Sequence, residues 1–314
     1  MFVSLSAPQL AHRALLFCLP ARAAGARWLK CSLSLLLLIS GTSGCNLSRN
    51  QSVKLMNQGL RAERAGQMTL ALERLEEATT VDPTNDRAHY YRGLIYRHRL
   101  QRPEAAAAAF REAIAIFREE AEYHYQLGDA LTEIGRREDA VNAFGQALVY
   151  RRDYGLAALK RGRLLEAQRR FNDAQDAYRL AIQNAPYKLE GFLLLAQLYR
   201  SFSQYPSAAR VLENAITNHP GEARLHQEIG QIYAKLQRPR EALRAYERAL
   251  NLDQGDPTLH LLIGQQLYLL QEHRRAEVEL KRFLTRAGSN VEPLQRRTAD
   301  LLIKKIRAWL RTNQ

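Results

Sequence analysis

The sequence predicts an all-α solenoid of about seven stacked helix–turn–helix pairs, closed at its C-terminal end by a capping helix. Three observations carry this. Small residues recur at steps of 34 or 35: Gly59, Gly93, Gly128, Gly162, Ala196, Gly230 and Gly264. An alanine follows each, twelve residues on in six cases (Ala71, Ala140, Ala174, Ala208, Ala242, Ala276), with Ala106 displaced by one extra residue between Tyr96 and Leu100. Four residues beyond each alanine stands a large side chain: Leu75, Phe110, Phe144, Tyr178, Leu212, Tyr246 or Leu280. Small residues at fixed slots let two helices approach closely, and a large residue four positions after an alanine lies on the same helical face. One pair alone leaves an apolar face uncovered, so the pairs must stack.

The elements follow in order. Residues 1–44 contain Arg13, Arg22, Arg27 and Lys30 but no acid, and Arg27 and Lys30 precede the apolar stretch SLSLLLLIS. That stretch is shorter than the roughly 20 apolar residues a spanning helix needs and suits the apolar region of an export signal. Small residues then lead into Cys45, the last of only three cysteines after Cys18 and Cys31. Three cysteines exclude a disulfide framework and, in the repeats, a cysteine-based zinc site. Residues 45–51 are read as a short linker, and the pairs as 52–85, 86–120, 121–154, 155–188, 189–222, 223–256 and 257–290. Pro83, Pro186 and Pro220 close three of them. Residues 291–314 place Leu294, Leu301, Leu302, Ile306, Trp309 and Leu310 at helical spacing among basic residues, as a cap with one solvated face requires, with a membrane-surface or partner helix as the less favoured alternative.

The Gly/Ala/large-residue pattern resembles the tetratricopeptide repeat (TPR), most clearly in EIGQIYAKLQRPREALRAYERALNLD, and the resemblance covers residues 52 to about 290. It implies a right-handed solenoid that binds protein rather than catalysing a reaction. The quartet Thr42, Ser43, Gly44 and Cys45 resembles a bacterial lipoprotein signal. That resemblance implies cleavage before Cys45, diacylglycerol on its thiol and a lipid-anchored mature chain. Asn46, in place of Asp, implies the outer membrane, facing the periplasm.

In TPR proteins the first helix of each pair lines the inner groove, with repeat positions five, nine and twelve pointing inward. Here position five holds Met56, Tyr90, Tyr125, Leu159, Leu193, Gln227 and Leu261, a mostly apolar or aromatic stripe expected as a groove floor. Position nine holds Leu60, Leu94, Asp129, Arg163, Gln197, Gln231 and Gln265. Its last three form a glutamine row whose donors and acceptors suit the backbone of an extended peptide. Arg97 and Arg200, at position twelve, are expected to meet acidic groups of a ligand. Asn is absent from positions five and nine, so the Lys/Asn clamp with which some relatives hold a C-terminal carboxylate is not expected.

No phosphate loop, HExxH or GxSxG motif occurs, and no catalytic residue, cofactor, metal site or small-molecule substrate is expected. His89, His124, His226 and His260 share repeat position four. Equivalent positions on neighbouring helices lie roughly 8–10 Å apart, too far to share a zinc ion, so packing is the expectation. The net charge is +14, of which residues 45–314 carry +10 without any Lys/Arg run longer than two.

The expected function is therefore that of an anchored adaptor for an extended segment or helix of an envelope complex, such as pilus or secretion machinery. Two alternatives stand beside it: an unexported basic adaptor for nucleic acid or acidic proteins, the less favoured partner class, and a non-catalytic subunit of a polysaccharide-export or peptidoglycan enzyme complex.

Overall fold

The computed structural model describes residues 28–287 and 292–312, with side chains from residue 46 onward. These residues form fifteen α-helices and no strand. Two compact units are distinguished, residues 1–88 and 89–314.

In the first unit, α1 (Trp28–Arg64) packs against α2 (Met68–Val81). A Cβ on Gly59 would lie 3.0 Å from the side chain of Leu75 and from the carbonyl of Ala71, so the glycine slot is a point of helix contact. Ser52 is fully buried, donates to the Ala78 carbonyl at 2.7 Å and accepts from Asn85 at 2.8 Å. Asn85 Oδ1 in turn accepts from the Ala88 amide at 3.1 Å. This chain ties the last turn of α2 to the turn that follows it. Residues 45–51, expected as a linker, continue α1 as helix. The side chain of Cys45 and residues 1–27, to which the leader and lipid expectations belong, lie outside the described residues. Among the described residues no helix is long and apolar enough to cross a membrane.

The second unit continues with α3 (Asp86–His98), α4 (Pro103–Ile116), α5 (Ala121–Glu133), α6 (Arg137–Tyr150), α7 (Gly155–Ala167) and α8 (Phe171–Asn184). Then follow α9 (Leu189–Ser201), α10 (Tyr205–Asn218), α11 (Ala223–Lys235), α12 (Pro239–Leu252), α13 (Thr258–Leu269), α14 (His273–Arg286) and α15 (Pro293–Thr312). The small-residue slot works by exclusion. A Cβ on Gly128 would sit 2.8 Å from the Phe144 ring, and one on Gly230 2.5 Å from the Tyr246 ring. In the fifth pair the slot holds Ala196, itself buried, as is Leu212 sixteen residues on. The rings of Phe110, Phe144, Tyr178 and Tyr246 are almost wholly buried, each worth about 3–5 kcal/mol on truncation.

One feature of the turns recurs in all seven pairs. Gly66, Gln101, Gly135, Arg169, Ser203, Gln237 and Gln271 all have positive φ, between 51° and 84°. In six of the seven, the next amide donates to the carbonyl five residues back, as from Arg136 to Leu131 and from Arg238 to Tyr233, both 2.9 Å. This is the left-handed stop of a Schellman motif. In the second pair the extra residue lengthens the loop, and Arg102 donates six residues back to Tyr96 at 2.8 Å.

Candidate functional site

The first helices α3, α5, α7, α9, α11 and α13 carry the residues expected to line the groove, apart from Met56 and Leu60 on α1, of which Met56 is buried. Position five does not form an open floor. Tyr125 and Leu159 are 8% and 7% exposed, and Leu261 is likewise buried. The reason is the seam between pairs. Tyr125 stacks on Tyr154, in the turn that leads into α7 of the next pair, with centroids 4.8 Å apart and meets Phe144 at 5.6 Å. Tyr90 is half-buried against Tyr123 and Phe110, at 4.9 and 5.9 Å. Leu193 packs half-buried on the core.

Arg97 also turns to the protein itself. Its guanidinium donates to Gln126 Oε1 at 2.8 Å and Glu133 Oε1 at 2.9 Å, and pairs with Asp129 Oδ2 at 3.1 Å. These contacts belong to a closed circuit. Gln126 donates to Glu122 at 2.8 Å, and the Tyr154 hydroxyl donates to the other Glu122 oxygen at 2.6 Å. Tyr154 stacks on Tyr125, Lys160 lies over the Tyr125 ring at 4.8 Å, and Lys160 pairs with Asp129, which returns to Arg97. Seven side chains on α3, α5 and α7, with the turn before α7, thus satisfy one another. Burial, then the bond to Glu122, pushes the Tyr154 hydroxyl far above the usual phenol range. For Lys160 burial works downward, but the bond to Asp129 and the neighbouring charge outweigh it, and the ammonium is held above its ordinary value.

The second half of this face is more open. Arg200 donates to Glu228 at 2.8 Å and, at the long distance of 3.4 Å, to Gln231 Oε1. Leu193, Gln197, Arg200, Arg224 and Glu228 border a cleft of about 30 Å³ between α9 and α11. Gln197 is exposed; Gln231 and Gln265 are half-buried. Gln227 donates to Asp256 at 3.3 Å. The structure therefore brings together Leu193, Gln197, Arg200 and Gln231. It places Tyr90, Arg97, Tyr125 and Leu159 in inter-repeat packing, and pairs Gln227 with Asp256, just before α13, the helix that carries Gln265.

The position-four histidines serve packing. His124 Nε2 meets the Arg118 carbonyl at 2.8 Å and its ring stacks on Tyr150; His226 Nε2 approaches the Pro220 carbonyl at 3.3 Å. His89 and His260 pair with Glu112 and Glu279 at 2.9 and 2.7 Å. No cluster of three or more metal-ligating side chains is found among the described residues.

Roomier clefts lie on the second-helix side, where sequence reading did not look. One of about 500 Å³ runs between α8, α9 and α10, past Arg179, Phe192, Tyr199, Arg210 and Val211. Another of about 420 Å³ shares Tyr199 and includes Phe171 and Phe202, whose rings meet edge-on at 4.6 Å. The available signal was Phe202, an aromatic residue in an otherwise polar turn.

The tetratricopeptide repeat model matches residues 56–121, 125–188, 193–257 and 228–290, and the chain belongs to this family. Family members are in general non-catalytic scaffolds for protein–protein interaction. No curated protein matches the chain. Among solved structures, the C-terminal part of a TPR repeat-containing protein from Cytophaga hutchinsonii is similar over 80% of this chain and 98% of its own, at 14% identity and TM-score 0.62. YrrB, described as a TPR protein with an unusual peptide-binding site, covers 63% of this chain and 99% of its own, at 18% identity and TM-score 0.51. The type IV pilus biogenesis factor PilW covers 64% of this chain and 92% of its own, at 21% identity and TM-score 0.46. Likeness at these identities shows the fold alone.

Proposed function

We propose that the chain is a lipid-anchored adaptor of the bacterial envelope that captures an extended protein segment on the α9–α11 part of its first-helix face. The observation that carries the capture reading is the grouping of Leu193, Gln197 and Arg200 around one cleft, with Gln231 within 3.4 Å of Arg200. It offers apolar contact, amide donors and acceptors, and a cation, the set an extended peptide with an acidic side chain needs. The use is of the kind described for YrrB, a TPR protein with a peptide-binding site. The anchor reading rests on Thr42–Cys45 and the apolar run before it. One acyl chain binds a membrane marginally and two or more bind stably, so a lipidated Cys45 would confine the repeats to one surface and raise their effective concentration near partners there.

The test is metabolic labelling with palmitate in a bacterial host, with fractionation of the membranes. The parent is expected to take label and sediment with the outer membrane, and Cys45→Ala to lose both. An unlabelled parent found in the cytoplasm would remove the anchor and the envelope role together.

A further inference from the structure

We propose that the outward face of α15 docks on an anionic lipid surface. This goes beyond the adaptor reading and does not depend on lipid at Cys45. Helix α15 has two faces with separate work. One caps the last pair: Ala299, Ile303 and Ile306 are buried in the core of the last two pairs, with Leu302 and Leu310 packed beside them. Arg307 fixes the edge of the cap by pairing with Glu277 of α14 at 2.9 Å.

The other face has no such employment. Leu294 and Leu301 stand 70% and 52% exposed, and Ala308 continues their row at the same seven-residue step. Three residues on from each lies a cation, giving a second row of Arg297, Lys304 and Arg311, with Lys305 on the same side. Residues seven apart lie two turns along one side of a helix, and residues three apart are lateral neighbours. An apolar row and a cationic row therefore run side by side down the helix. None of Arg297, Lys304, Lys305 and Arg311 has an ion-pair partner among the described residues. Asp300 is the one acid in the helix sequence.

A cap needs solvation on its outer side, which cations alone would supply. It does not need leucines aligned with them. A second copy of the chain would set like charges against each other. A phosphodiester backbone would use the cations and leave the leucines in water. An interface of anionic headgroups and acyl chains uses both rows at once, because a helix lying in its plane buries its apolar row while its cations stay among the phosphates. Each Lys or Arg near such a surface strengthens binding about fivefold, so four cations give reversible, salt-sensitive attachment.

The test uses the full chain carrying Cys45→Ala, so that no acyl anchor contributes. It is co-sedimented with vesicles of phosphatidylcholine alone or of equal parts phosphatidylcholine and phosphatidylglycerol. Arg297→Glu with Lys304→Glu is expected to lower partition onto the anionic vesicles by about 25-fold or more. Leu294→Ser with Leu301→Ser is expected to lower it several-fold, and neither pair should change binding to phosphatidylcholine. Should charge reversal disturb folding by circular dichroism, Lys304→Gln with Lys305→Gln reads the same dependence more gently. Equal partition of parent and charge-reversed chains would overturn the proposal, since any binding would then come from residues 1–44. So would a parent that binds a single-stranded oligonucleotide but not the anionic vesicles. Because Cys45 is absent throughout, either failure leaves the palmitate result at Cys45 untouched.

Discussion

The two halves of the first-helix face spend similar residues differently. On α3, α5 and α7 an Arg at position twelve, an Asp at position nine and two tyrosines close into one circuit, in which Asp129 is 6% exposed and holds both Arg97 and Lys160. On α9 and α11 the equivalent Arg, Arg200, reaches the equivalent positions of the next pair, Glu228 and Gln231, yet its side chain stays 40% exposed. The first half uses its inward side chains as staples between repeats. The second half holds the same kind of side chains at a surface cleft, where a ligand can replace them. In a solenoid whose stability is a sum of neighbour interfaces, stapling one segment and leaving the next open separates rigidity from the recognition we propose.

The comparison breaks first at Asp129. Asp129→Ala leaves Lys160 without its ion-pair partner and Arg97 with only Glu133 and Gln126, and is expected to cost about 2–3 kcal/mol, measured by urea denaturation. A loss of a few tenths would mean the circuit is decorative. A smaller effect comes from pH in the same half. Burial holds the His124 imidazole below its usual pKa, with the Arg118 carbonyl opposing weakly. The folded state therefore prefers neutral His124, and its contribution is present above the unfolded value of about 6.5 and lost as pH falls below it. Between pH 7 and pH 5 stability should fall more in the parent than in His124→Gln, measured as the pH slope of the urea midpoint. Equal slopes would place the acid sensitivity elsewhere. The smallest expected change in stability is at Arg200. Its pair with Glu228 is partly exposed, so Arg200→Ala should cost less than about 1 kcal/mol while weakening partner capture. A destabilisation as large as that of Asp129→Ala would put Arg200 among the staples.

Much of the fold was legible because helix contact in this family needs a small residue facing a large one, and Gly128–Phe144 or Gly230–Tyr246 satisfy that need inside one pair. The turns were less legible. Only Gly66 and Gly135 advertise a left-handed residue; Gln101, Arg169, Ser203, Gln237 and Gln271 adopt the same conformation because the stop bonds and the packing of the pair outweigh its cost. The site was legible in part for a related reason. Position five reads as open floor because its burial is decided at the junction with the next repeat, as Tyr154 at the start of α7 decides it for Tyr125. The staples likewise join residues about one repeat apart, such as Arg97 with Gln126 and Tyr154 with Glu122. Repeat numbering fixes which positions share a face and leaves open which side chains on it find each other.

The central claim is that recognition sits on α9–α11 and not on the stapled half. The direct measurement is site-specific photocrosslinking in the native host, with a photoreactive residue placed in turn at positions 197, 231, 126 and 133. The account predicts adducts with one and the same protein from positions 197 and 231, and none from 126 and 133. Adducts confined to 126 and 133 would contradict it, because the partner would then be lying across side chains that already satisfy one another.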